Sequence, residues 1–74
     1  MTPQRQPRHY THDELVRTCH VMHRFGGSFA HHLADAALVA DSVNRETLLT
    51  AFGGLFHKYG PDSDFYRGTY PEAT

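Results

Sequence analysis

Apolar positions recur at helical spacing in three stretches of the chain, each bounded by residues that start or stop helices. In the first, about 12–25, Leu15, Val16, Cys19, Met22, His23 and Phe25 fall on one side of a helical wheel. Asp13, Arg17, His20, Val21 and Arg24 fall on the other. Thr11 and Glu14 have the spacing of a capping box, and acids in the first turn suit the helix dipole. Gly26-Gly27 is expected to end this helix with a left-handed cap.

The second stretch, about 29–41 with Ser28 as its expected N-cap, is apolar nearly all round. Only a narrow polar stripe around His31 and Asp35 interrupts it, so this helix should be covered on more than one side. The third stretch, about 45–59 with Asn44 or Ser42 as cap, places Leu48, Leu49, Phe52, Leu55, Phe56 and Tyr59 in one tight stripe. Two interior glycines, Gly53 and Gly54, cost about 2 kcal/mol together against alanine. The apolar period continues in phase across them. That predicts an intact or slightly bent helix rather than a break at 53, with a close helix–helix contact as one reason for Gly53.

The ends carry no such period. Residues 1–10 hold two prolines and are expected to form an extended arm. Gly60-Pro61 stops the third helix, and 61–74 is expected to be an irregular tail. Its Phe65, Tyr66 and Tyr70 are suited to folding back or to docking on a neighbour. The fold class predicted is all-α: a three-helix domain over 11–60, completed by self-association.

Composition narrows the function. A chain of 74 residues makes one domain and buries only about 60% of its unfolded surface, which argues against a large self-contained active-site cleft. No stretch is long and apolar enough to span a bilayer, and the first ten residues contain no secretory apolar region. The single cysteine, Cys19, excludes an intrachain disulfide. Charge is uneven. Residues 1–25 carry four arginines against Asp13 and Glu14, net +2, and 26–74 carry three cations against six acids, net −3. Seven histidines are the anomaly, since protonating all of them would move the formal charge from −1 to +6.

Candidate chemistry follows from these residues. Cys19 and His23, at i and i+4, form a possible metal half-site that His32 could extend, but no second local ligand pair is visible, so no metal or other cofactor is expected. Cys19-His23 also fits a nucleophile–base pair in residue type, with nothing to mark an orienting group or oxyanion hole; the chain is read as non-enzymatic. Gly26, Gly27 and Ser28 precede a helix and could hold a small anion or nucleotide, with Arg24 and His31 nearby, at a site between protomers. A C-cap glycine pair followed by an N-cap serine explains the same three residues. The arm has two arginines and the third helix no basic recognition face, so nucleic-acid binding is not expected. The apolar excess of the second helix is best explained as an interface. Ala30, Ala34, Ala37, Leu38 and Val39 are its expected residues, with Phe65, Tyr66 and Tyr70 at the rim.

Over about half the chain the sequence also resembles small orphan helical proteins of tailed bacteriophage and prophage genomes. The matching features are Gly26-Gly27-Ser28-Phe29, Ala40-Asp41, Asn44, Leu48 and Ala51-Phe52, closing at Phe56 and Tyr59. The resemblance implies a phage product in the bacterial cytoplasm. It would bind itself and a host protein or defence complex, which it blocks sterically. A phage structural or assembly role is the remaining expectation.

Overall fold

The computed structural model describes residues 10–73. The expected extended arm lies outside the described residues except for Tyr10, which packs partly buried against the core. Five helices follow in order: α1 (His12–Phe25), α2 (Gly27–Val39), α3 (Ser42–Ala51), α4 (Gly53–Lys58) and α5 (Asp64–Thr69), then a 3-10 turn at Pro71–Ala73. Among the described residues there is no strand.

α1 forms where the sequence predicts it. The Thr11 hydroxyl accepts from the Glu14 backbone N–H at 3.1 Å, and the Glu14 carboxylate accepts from the Thr11 N–H at 3.0 Å. α2 begins two residues earlier than expected. Gly26 keeps right-handed geometry (φ −89°), and Gly27 alone takes the left-handed conformation (φ 75°) while already serving as the first residue of α2. Ser28 therefore sits inside the first turn, and no side chain caps α2. α2 also ends earlier, at Val39, because Ala40 and Asp41 are extended. The Asp41 carboxylate accepts from the Asn44 N–H at 2.8 Å and is the true cap of α3, which puts Ser42 and Asn44 inside that helix.

The third predicted helix is not continuous. It divides at Phe52 (φ −118°, ψ 30°) into α3 and α4. The Phe52 N–H still donates to the Leu48 carbonyl at 2.9 Å, and the Phe52 carbonyl accepts from both Leu55 and Phe56. The two helices thus meet at a kink rather than a loop, and the glycine pair beside it lowers the cost of bending. A Cβ at Gly53 would meet nothing within 4 Å, so the expected close helix contact there is absent.

Among its described residues the expected irregular tail is largely helical, with α5 over Asp64–Thr69. The Ser63 hydroxyl accepts from the Tyr66 N–H at 3.1 Å, capping α5. α5 packs across α1 and buries Tyr66 to 3% exposure. Val21, which the wheel placed on the polar side of α1, is 1% exposed and belongs to the same buried cluster as Tyr66 of α5. α1 is buried on two sides: Leu15, Cys19 and Met22 lie in the core with Ala30, Leu33, Ala34 and Ala37 of α2, and a further side lies under α5. Phe56 of α4 is fully buried in the same core. Burying such a side chain contributes about 1.5–3 kcal/mol. Thr18, also fully buried, satisfies its hydroxyl by donating to the Glu14 carbonyl at 2.7 Å.

Candidate functional site

The small residues of α2 do not form a partner-binding surface. Ala30, Ala34 and Ala37 are 0–1% exposed inside the chain's own core. Their small size lets α1 and α2 approach closely; at the hairpin turn a Cβ on Gly26 would lie only 2.5 Å from the Ala30 Cβ. Tyr66 is likewise enclosed. Of the other expected interface residues, Leu38, Val39 and Phe65 are exposed, and Tyr70 is half-buried beneath the Arg17 guanidinium, 4.9 Å from the ring centre.

The exposed apolar surface instead extends into α3. Val39 is 85% exposed, Val43 73% and Phe29 62%. Phe29 packs edge-on against Phe52, with ring centres 5.8 Å apart. α3 contributes no fully buried residue; Leu48 and Leu49 are its partly buried contacts with the core. Its outer stripe is Val43, Glu46, Thr47, Thr50 and Ala51, spaced i, i+3, i+4, i+7 and i+8, and it lines a shallow open depression. Because every lining residue belongs to one helix, this is a shallow open face rather than a cleft that encloses a small substrate.

Arg45 fixes the placement of that surface. Its guanidinium donates to the Ala40 carbonyl at 2.9 Å and to the Ala37 carbonyl at 3.4 Å. α2 has no basic residue in its own last turn, and Arg45 supplies the missing donors from α3. The sequence reading missed Phe29, Val43 and Phe52 as surface residues. An amphipathic stripe shows that a helix has an apolar side, but not whether the rest of the chain covers it.

The expected ligand sets are redistributed. Cys19 is fully buried, and its thiol is pushed up to about 11, chiefly by burial and then by the Asp35 carboxylate, with Arg45 opposing. At neutral pH it is a protonated thiol enclosed in the core. His32 is exposed, with its ring edge-on to His31 at 5.7 Å. His23 turns to α2, where its Nε2 lies 2.7 Å from Asp35 Oδ1. His31 stacks on His23 with ring centres 4.2 Å apart, and its Nε2 lies 3.6 Å from Asp35 Oδ2.

The anion set is likewise divided. Arg24 lies over the Phe25 ring, 5.1 Å from its centre, whereas His31 is engaged with His23 and Asp35. Gly27 and Ser28 are exposed at the turn between them in sequence. Comparison with family models, with curated proteins and with solved structures gave no match.

Proposed function

We propose that the protein is a small non-enzymatic protein-binding module whose docking surface is α3 together with the exposed end of α2. The observation that carries this reading is the state of α3: a ten-residue helix that buries no residue fully and carries Val43 at 73% exposure, with Val39 at the end of α2 at 85%. A contiguous exposed apolar patch rimmed by polar residues marks a protein-interaction surface; in this reading Val39 and Val43 supply its apolar part and Glu46 and Thr47 its rim. The partner in this reading, taken from the resemblance to phage proteins, is a host protein or defence complex of the bacterium, blocked by steric occlusion.

The test combines capture and sizing. Tagged protein is incubated with nuclease-treated bacterial lysate beside Val39→Asp and Val43→Asp, both matched to wild type in helicity and Tm. The reading requires a single host complex retained by wild type and lost by both variants. Concentration-dependent dimerisation abolished by the same variants would make a second copy of the chain the occupant. Capture or self-association unaffected by either substitution overturns the assignment of this surface.

A further inference from the structure

Outside the docking surface, one cluster places three metal-ligating side chains across the α1–α2 hairpin. His23 stands in the last turn of α1, and His31 and Asp35 stand one turn apart on α2. One ligand atom from each lies within 4.8 Å of the others. We propose that His23, His31 and Asp35 form a binding site for a divalent transition-metal ion of the zinc type, which joins the end of α1 to α2.

The geometry supports this in three ways. The carboxylate already faces the Nε2 edges of the two stacked imidazoles, with Oδ1 2.7 Å from His23 Nε2 and Oδ2 3.6 Å from His31 Nε2. With zinc–nitrogen and zinc–oxygen bonds of about 2.0–2.2 Å, tetrahedral ligand atoms stand about 3.3 Å apart. The two observed separations, one to each carboxylate oxygen, lie on either side of that spacing, and all three ligand atoms lie within 4.8 Å of one another, so rotation of the exposed side chains out of the ring stack is the change that would seat the ion.

Second, only one contact within the cluster, His23 Nε2 to Asp35 Oδ1, is of hydrogen-bond length. The contact between His31 and Asp35 is too long for a hydrogen bond, and a cation at the centre would engage both imidazoles and the carboxylate at once. Third, the site is accessible but anchored. The three side chains are 29%, 48% and 53% exposed, which leaves a coordination position for water, while the backbones behind them are held by the buried α1–α2 packing. Two imidazole nitrogens and one carboxylate oxygen favour Zn2+, Co2+, Ni2+ or Cu2+ over Mg2+ and Ca2+, which prefer all-oxygen sites. Cys19 and His32, the partners that the sequence spacing offers to His23, take no part in the cluster.

The test uses the untagged full-length chain freed of metal. Titration with Zn2+ followed by calorimetry and thermal melting should give one ion per chain at micromolar concentration and a rise in Tm, with no rise from Mg2+. His31→Ala and Asp35→Asn, both at exposed positions, should fold normally without metal and each weaken Zn2+ binding by about tenfold or more. His32→Ala should bind as wild type does. Absence of saturable Zn2+ binding overturns the proposal. So does binding that survives both substitutions, or binding that His32→Ala abolishes.

Discussion

α1 and α3 begin alike and end in different environments. Each is capped by a side chain that accepts from the backbone N–H three residues on, Thr11 for α1 and Asp41 for α3. Each carries an apolar stripe. Yet α1 buries Leu15, Thr18, Cys19, Val21 and Met22, whereas α3 buries no residue fully. The difference comes from the neighbours. α1 packs against both α2 and α5, while α3 is held at the end of α2 by Arg45 and by partial packing of Leu48 and Leu49. Capping and amphipathicity decide that a helix forms; tertiary cover decides whether it is core or surface.

The largest effect should come from the enclosed half. Phe56→Ala removes a fully buried ring and should cost about 3–5 kcal/mol. A domain of this length is stabilised by only about 4–11 kcal/mol in total, so thermal melting should show a largely unfolded variant or a greatly lowered Tm. Gly26→Ala comes next. Its Cβ would meet the Ala30 Cβ at 2.5 Å and the Met22 carbonyl oxygen at 2.6 Å, and overpacking of this kind costs about 1–3 kcal/mol in denaturant unfolding.

Asp41→Ala should cost about 1 kcal/mol through loss of the α3 cap, with the loss of helicity concentrated in α3 rather than α1. Gly53→Ala has the opposite sign. Its Cβ meets nothing and its φ is not positive, so the variant should gain about 0.4–1 kcal/mol from the reduced freedom of the unfolded chain. The smallest effect on folding should be that of Val43→Asp, within about 0.5 kcal/mol, because the side chain is 73% exposed. Stability loss there comparable to that of Phe56→Ala would remove the distinction between the two regions.

The sequence made some of this legible and not the rest, for identifiable reasons. The helical class and the bounds of α1 follow from local rules, because the Thr11–Glu14 capping box and the apolar period agree. The cap of α3 did not follow, because Asp41, Ser42 and Asn44 are all good capping residues and only backbone geometry chooses among them. Val21 was assigned to the polar side of α1 because a wheel drawn for one partner cannot anticipate the second cover that α5 provides.

The alanines of α2 illustrate the same limit. They are apolar and small in either role, and only the close approach of α1 shows that they are core. For the imidazole cluster, the i, i+4 spacing of Cys19 and His23 was a real helical relation. It linked a residue of the core to one at its edge, and the partners of His23 came from the neighbouring helix.

Residue-resolved native-state hydrogen exchange of the isolated chain is the most direct test of the claim that α3 is a surface element held weakly by its own chain. The amides of Cys19, Val21 and Met22 in α1 should exchange only through global unfolding. Those of Leu48 and Leu49 in α3 should exchange orders of magnitude faster, through local opening that leaves α1 and α2 folded. Protection of α3 equal to that of α1 would contradict the account, because it would make α3 an integral part of the cooperative core.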